Sequence, residues 1–166
     1  DIVDRENPSS HLELGPIPLK YGYDTNVTGN GGKSSIDPII YRLADVYLTL
    51  AEALYLKPGS SAADKEEAMT HINTIRNRAG LDGISNSEVN TEEKFVEILL
   101  KERSHELWCE NGQYRADLIR FNKFVEHAET VKGTAYANKN KELYPLPKPE
   151  IVTTPLIQDE NTNFRL

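Results

Sequence analysis

The chain has 166 residues, of which 38% are hydrophobic and 27% charged, and its formal net charge is -7. These values indicate a globular domain or a large piece of one, and they argue against a nucleic-acid-binding surface, which needs clustered Lys and Arg. No run of 18 apolar residues occurs, and the single cysteine, Cys109, excludes an internal disulfide and cysteine-rich metal motifs. Because the sequence begins at Asp1 without an initiator methionine or a signal peptide, we expect a mature or truncated chain.

The first part of the chain shows no helical period. Ile17, Leu19, Tyr21 and Tyr23 alternate with proline, lysine and glycine, which predicts a short extended segment. A loop rich in glycine and asparagine follows. We therefore assign residues 1–36 to an irregular lead-in.

A first helix is predicted to begin at Asp37 and Pro38, because an aspartate can cap free amides and proline suits the first helical position. It is predicted to end near Leu56, just before a Pro-Gly pair. Its predicted apolar face consists of Leu43, Tyr47, Leu50, Ala51 and Leu54.

A second helix is predicted to begin after Ser61, which forms a capping box with Asp64, and to end at Gly80. Its predicted apolar face consists of Ala68, Met69, Ile72, Ile75 and Ala79. Since the connection between the two helices is short, we expect an antiparallel helix hairpin.

Two further helices are predicted. The third is capped by Asn90 and ends at the Asn-Gly pair before residue 113, and the fourth begins near Tyr114 and ends between Asn122 and Gly133. After that point the chain loses its period, and several prolines predict an extended tail packed on the helices. The predicted fold is therefore mainly all-α, with a helical region over 37–133 and a proline-rich tail over 134–166.

Charges share the buried stripe of the third predicted helix. Phe95 and Leu99 continue at helical spacing into Glu102 and Glu106, and Glu110 follows four residues later. Like charges at that spacing destabilise a helix by roughly 0.2 to 0.5 kcal/mol per pair unless cations pair with them. The candidate cations, each flanked by apolar helical positions, are Arg42, Arg76, Arg78, Arg115 and Arg120. We predict a partly buried charge network, and the alternative is a solvated charged face.

No residue pattern carries an enzyme site. Glu102 and His105 have the Glu-x-x-His spacing of carboxylate-bridged metal sites, but no second copy of that motif occurs. Cys109 lies between Trp108 and a glutamate, which favours a packing cysteine over a nucleophile, and Trp108 is expected in the core or at an interface. Phosphate-binding and nucleophile-elbow motifs are missing from the sequence. The residues therefore predict no nucleophile and no cofactor, and the single Glu-x-x-His pair disfavours a metal site.

The helix hairpin resembles a tetratricopeptide repeat at Leu43, Ala44, Tyr47, Ala68 and Ile72. The ordered motifs of the chain resemble the C-terminal part of the SusD/RagB family of Bacteroidetes outer-membrane lipoproteins. A first motif, Arg-x-Ala-Glu-Val-x-Leu-x-x-Ala-Glu-Ala, is similar to Arg42, Ala44, Asp45, Val46, Leu48, Ala51, Glu52 and Ala53. A second, Ile-Asn-x-Ile-Arg-x-Arg-Ala-Gly-Leu, is complete in Ile72, Asn73, Ile75, Arg76, Arg78, Ala79, Gly80 and Leu81. The last two are Glu102, Arg103, Glu106 and Leu107, and then Asp117 to Phe121 with Lys123 and Phe124.

The resemblance implies a lipoprotein anchored on the external face of the outer membrane through a cysteine not present in this chain. Such proteins are not enzymes; they bind oligo- or polysaccharides and work with a SusC-like TonB-dependent transporter in carbohydrate uptake. The chain would then be a C-terminal fragment that packs against the upstream part of the same protein. On this view the matched charged residues hold helices together, and that structural charge network comprises Arg42, Glu52, Arg76, Arg78, Glu102, Arg103, Glu106, Arg115, Asp117 and Arg120.

Two alternatives remain open from the residues alone: a tetratricopeptide-type protein-interaction scaffold, and a metal enzyme centred on Glu102 and His105. The tyrosines that lie neither on the first helix nor in the proline motif at Tyr144 are the candidate sugar platforms. They are Tyr21, Tyr23, Tyr114 and Tyr136.

Overall fold

The computed structural model describes Lys20, residues 35–110 and residues 112–144. The chain forms two compact units, Asp1–Arg42 and Leu43–Leu166. The described residues of the first unit contain neither helix nor strand. The predicted extended segment, the glycine-rich loop and the proline-rich part of the tail lie outside the described residues, and the division into 1–36, 37–133 and 134–166 stays a prediction.

The described part of the second unit is helical and contains no strand, which confirms the mainly all-α fold. Its α-helices are α1 (Leu43–Leu56), α2 (Ala62–Arg78), α3 (Glu92–Glu106), α4 (Gln113–Arg120) and α5 (Phe124–Lys132). Short 3₁₀-helices cover Asn86–Glu88, Thr134–Tyr136 and Lys139–Glu142. Among the described residues, no helix has both the length and the apolar character needed to cross a membrane.

Helix α1 starts later than the sequence predicted. The prediction placed its start at Asp37 and Pro38, but the first helical residue is Leu43. Ile39, Ile40 and the aromatic residue after them have low helix propensity, because their side chains lose rotamer freedom against the preceding turn. The helix therefore begins where the leucine- and alanine-rich stretch begins.

Helices α1 and α2 form the predicted antiparallel hairpin. Near their connection, the Nζ atom of Lys57 lies 2.6 Å from Oδ1 of Asp64. Further back along α1, the ring of Tyr47 stacks on that of His71 with centroids 5.4 Å apart. A residue earlier in α1 thus contacts a residue later in α2, which is the contact pattern of an antiparallel pair.

Both predicted ends of α2 are confirmed. The hydroxyl of Ser61 accepts a hydrogen bond from the Asp64 amide, and the Asp64 carboxylate accepts one from the Ser61 amide, so the capping box is complete. At the other end, Gly80 has a φ of +74°. Its amide donates to the carbonyl of Asn77, and the Leu81 amide donates to that of Arg76, which is a Schellman motif.

Helix α3 differs from its prediction at both ends. Its N-cap is Thr91, whose hydroxyl accepts from the Lys94 amide, and not Asn90. The helix was predicted to extend to the Asn-Gly pair, but α3 ends at Glu106. Cys109 adopts a left-handed conformation with a φ of +61°, which no helix continues through. Gly112, expected to end α3, instead precedes α4 as its N-cap.

The fourth predicted helix is divided into α4 and α5. The division occurs at Asn122, which has a φ of +55°. The Asn122 amide donates to the Ile119 carbonyl and the Lys123 amide to the Leu118 carbonyl, so α4 ends in a Schellman motif with asparagine in the place of glycine. Asparagine tolerates this conformation better than other residues with side chains, so the chain turns here without a glycine.

The hydrophobic core lies where α1, α2 and α3 meet. Its largest fully buried side chains are Phe95, Leu48, Met69, Ile72 and Leu99. The ring of Tyr55 stacks on Phe95 with centroids 3.8 Å apart, and its hydroxyl donates to the Val89 carbonyl.

The predicted apolar face of α1 is confirmed in part: Ala51 lies in the core and Tyr47 and Leu54 pack against it, but Leu43 and Leu50 do not. The residues of α1 in the core are Ala44, Leu48, Ala51 and Tyr55. Leu43 is 64% exposed and Leu50 is 40% exposed. Because α1 packs against α2 and α3 together, the stripe that carries small alanines and the Tyr55 ring is the one buried.

We predict that Gly80→Val destabilises the protein by about 1 to 2 kcal/mol, because a β-branched residue resists a positive φ. A Cβ atom at this position would have no neighbour within 4 Å, so the loss would come from the backbone conformation and not from a clash. Urea unfolding of the variant and of Gly80→Asn would measure it. Gly80→Asn should cost less, and equal midpoints for the two variants would contradict the prediction.

We also predict that Lys57 controls the acid stability of the hairpin. Hydrogen bonds from the Lys57 ammonium, and then from the Ser61 amide and hydroxyl, lower the pKa of Asp64 from 3.8 to about 2. A lowered pKa stabilises the folded state above the unfolded-state value, and this stabilisation is lost as the pH falls from about 4 towards about 2.

In Lys57→Met the pKa of Asp64 should rise, and the loss of stability between these pH values should become smaller. Carboxyl NMR titration and unfolding measured across this range would test both effects. Lys101→Met, a change on α3, is the control and should leave the Asp64 titration in place. An unchanged Asp64 pKa in Lys57→Met would refute the assignment.

Candidate functional site

A buried arginine joins three helices of the second unit. Nε of Arg103 on α3 donates to Oδ2 of Asp117 on α4 at 2.6 Å. Its Nη1 lies 3.0 Å from Oδ1 of Asp45 on α1, in an ion pair whose angle is unfavourable for a hydrogen bond. The three residues are between 3% and 9% exposed. Removing this arginine would leave two carboxylates in a site that excludes water.

Two neighbouring glutamates of α3 pair with the end of α2. Glu102 is buried and accepts a hydrogen bond from Nη1 of Arg76, whose Nε donates to the carbonyl of Asp82 at 2.9 Å. Oε2 of Glu106 accepts from Nη2 of Arg78 at 2.5 Å, although the Arg78 side chain is 61% exposed. These pairs bring arginines from α2 to the carboxylates that stand four residues apart on α3.

A third group links α4 to α1. Arg120 donates from both terminal nitrogens to the two carboxylate oxygens of Glu52, and from Nη2 to Oδ1 of Asp117 at 2.8 Å. Burial alone lowers the pKa of Arg120, but the hydrogen bonds to Glu52 and Asp117 raise it above its ordinary value. Asp117 therefore accepts from two arginines, one on its own helix and Arg103 on α3.

Arg115, another arginine of the predicted network, contacts main-chain carbonyls and an aromatic ring. Nη2 of Arg115 donates to the carbonyls of Lys141 and Glu142 at 2.9 and 3.0 Å. Its guanidinium also lies 4.2 Å from the ring centroid of Tyr144. Arg115 thus joins α4 to the segment that follows α5. Arg42 is the last residue of the first unit.

Several observations bear on the alternatives that the sequence left open. The carboxylate of Glu102, one half of the Glu-x-x-His motif, contacts Arg76. Over the residues that the structure describes, no three His, Cys, Asp or Glu side chains come together as metal ligands would. Cys109 is exposed, and Trp108, which was expected in the core or at an interface, is 43% exposed.

Of the four candidate sugar platforms, the structure describes the surroundings of Tyr114. It lies on α4, its hydroxyl is 3.3 Å from Nδ1 of His127 on α5, and the two rings meet edge to face at 89°. Burial raises its pKa above the ordinary value for tyrosine. Tyr136 belongs to the 3₁₀-helix after α5, whereas Tyr21 and Tyr23 lie outside the described residues.

Tyr114 and His127 line a groove of about 630 Å³ between α3, α4 and α5. The groove floor includes the buried Leu100 and Leu118, and lysines and glutamates of α3 and α5 line it as well. An apolar floor with polar and charged walls suits a polar organic ligand, and its volume lies in the usual range for small-molecule sites. Sequence analysis missed His127, which is thirteen residues from Tyr114 and faces it only because α4 and α5 fold back on each other.

The sequence was compared with known proteins. The sequence model of the SusD family matches residues 5–164. SusD-like protein P2 of Formosa agariphila is 29% identical over 157 residues, which cover 90% of this chain and 30% of that protein. Starch-binding protein SusD of Bacteroides thetaiotaomicron is 29% identical over 119 residues, which cover 68% of this chain and 19% of that protein. The chain therefore spans less than a third of the length of these relatives, and no solved structure matches it.

We predict that Arg103→Ala destabilises the protein by about 3 to 5 kcal/mol, because the buried Asp45 loses this cation and the buried Asp117 keeps only Arg120. Glu97→Ala removes the exposed Lys94–Glu97 pair, at 3.0 Å, and should cost less than about 1 kcal/mol. Chemical unfolding of both variants would measure the difference. A loss below 0.5 kcal/mol for Arg103→Ala would mean that water reaches the two carboxylates.

Proposed function

Because this chain belongs to the SusD family, we propose that it is the C-terminal part of a lipoprotein that captures a glycan at the cell surface. The observation that carries the proposal is the match of the family model to residues 5–164. One relative is a starch-binding protein, which supports a carbohydrate as the class of ligand. On this proposal the chain binds and hands over its ligand and does not transform it.

The ion pairs support a structural role for the matched charged residues. Arg76, Arg103 and Arg120 each contact carboxylates on other helices, so their guanidinium groups are engaged inside the protein. Asp117 shares its two oxygens between two arginines. Residues that neutralise one another in this way hold helices in register and have little capacity left for a sugar hydroxyl.

The upstream part of the same protein is a proposed partner of α1. Leu43, Val46 and Leu50 stand at helical spacing, and each is at least 40% exposed. A stripe of this kind suits the apolar face of another helix, which would bury it. This contact is consistent with a chain that spans less than a third of its relatives.

The second proposed partner is a SusC-like TonB-dependent transporter. We propose that the longer protein is anchored on the external face of the outer membrane by a lipidated cysteine outside this sequence. There it would cover the transporter and deliver the glycan to it. The proline-rich tail over 134–166 is proposed to pack on the helices, which the hydrogen bonds from Arg115 to the carbonyls of Lys141 and Glu142 support.

A tetratricopeptide-type interaction scaffold is the second candidate function. The exposed stripe of α1 favours it, since a peptide helix could occupy the same surface. The two functions differ in what the protein binds: a glycan and a membrane transporter in one case, and a peptide segment of another protein in the other.

We expect the full-length protein to be retarded in native gels that contain one polysaccharide of a panel, such as starch, laminarin or xylan. We also expect it to be co-purified from detergent-solubilised outer membranes with a TonB-dependent transporter. Val131→Ala, an exposed change on α5 outside the groove lining, should alter neither result. Migration unaffected by every polysaccharide, together with co-purification of proteins other than a transporter, would favour the scaffold.

A further inference from the structure

The geometry at the turn between α3 and α4 points to a sugar-binding subsite with Trp108 as its platform. A cavity of about 380 Å³ lies at this turn, and Trp108 and Tyr114 both line it. This inference rests on the proposed function, because it places part of the glycan contact within this chain. Trp108 was not among the candidate platforms that the sequence offered.

The turn itself holds the Trp108 ring at the surface. Leu107, the C-cap of α3, is only 3% exposed and anchors the start of the turn. The next residue but one, Cys109, has a φ of +61°, and Glu110 is again buried. Trp108 and Cys109 are thus the two exposed residues between two buried ones, and 43% of Trp108 is exposed. A large exposed aromatic ring is suited to stacking against a ligand.

Other residues that line the cavity supply both hydrogen-bond donors and hydrogen-bond acceptors. These groups are the Ser104 hydroxyl, the His105 imidazole and the Gln113 amide. Oε1 of Gln113 is buried and has no hydrogen-bond partner within the described part of the chain. Each sugar hydroxyl both donates and accepts, and a pyranose ring presents an apolar C–H face that stacks on an aromatic ring. A small rotation of the Gln113 amide would let its oxygen accept a hydrogen bond from such a hydroxyl.

The guanidinium that lines this cavity is held by contacts within the protein. Arg115 is the cation that lines this cavity, and its Nη2 already donates to the carbonyls of Lys141 and Glu142. Its guanidinium face also lies over the Tyr144 ring. The volume lies at the low end of the range for ligand sites, which suits about one or two sugar rings.

The single tryptophan of the chain allows a direct test. The ¹⁵N-labelled 166-residue chain has one indole N–H signal, and it would be titrated with maltoheptaose, laminarihexaose and xylohexaose in turn. We expect at least one of these sugars to move that signal saturably, with a dissociation constant in the millimolar range, together with the amide signals of Gln113 and Tyr114.

Variants would then assign the contact to the ring. Trp108→Ala should weaken binding at least about tenfold, as read from the Gln113 and Tyr114 amides, because the stacking surface is lost. Trp108→Phe should retain part of the affinity, since it keeps a smaller ring. Val131→Ala, an exposed change on α5 outside the cavity lining, is the matched control and should bind like the parent chain. If Trp108→Ala fails to fold, the indole shift in the parent chain and the graded loss in Trp108→Phe decide the question.

The outcomes separate this inference from the proposed function. Polysaccharide binding by the full-length protein with an unmoved Trp108 signal in this chain would overturn the inference alone. An unmoved signal and no polysaccharide binding would overturn both. A Trp108 signal that moves on addition of a purified transporter, and not on addition of sugar, would show a protein contact and would also overturn the subsite.

Discussion

The second unit depends on one buried interaction, the ion pairing of Arg103 with Asp45 and Asp117. Arg103, on α3, pairs with Asp45 on α1 and with Asp117 on α4. Both carboxylates are buried, so water cannot replace the arginine as their partner. A buried charge of this kind adds little to stability when it is complete, but it heavily penalises any arrangement that leaves it incomplete. This ion pair therefore restricts the position of α4, which must place Asp117 beside Arg103.

Features that depend on a few neighbouring residues could be predicted from the sequence. The capping box of Ser61 and the end of α2 at Gly80 involve hydrogen bonds that span five residues or fewer, so local residue types determine them. The choice of buried face on α1 is different. Leu43 and Leu50 form one apolar stripe and Leu48 and Tyr55 another, and only the positions of α2 and α3 decide between them.

The same distinction applies to the candidate site. Helical spacing placed Glu102 and Glu106 beside the core, but spacing does not choose a partner. Arg115, flanked by the same kind of residues as Arg120, contacts main-chain carbonyls where Arg120 contacts carboxylates. Trp108 was predicted as an interior or interface residue because its residue type favours burial. It is at the surface because α3 ends early, at Glu106, and the turn after it points the ring outward.

The shortness of α4 has a consequence for how this unit opens and closes. Its eight residues are fewer than the roughly 12 to 15 that an isolated helix needs to persist in water. Helix α4 is therefore ordered by its docking onto α1 and α3, and its departure exposes the charges of both. Amide hydrogens of α4 should accordingly exchange with solvent in the same cooperative event as those of α1 and α3, and not by fraying alone.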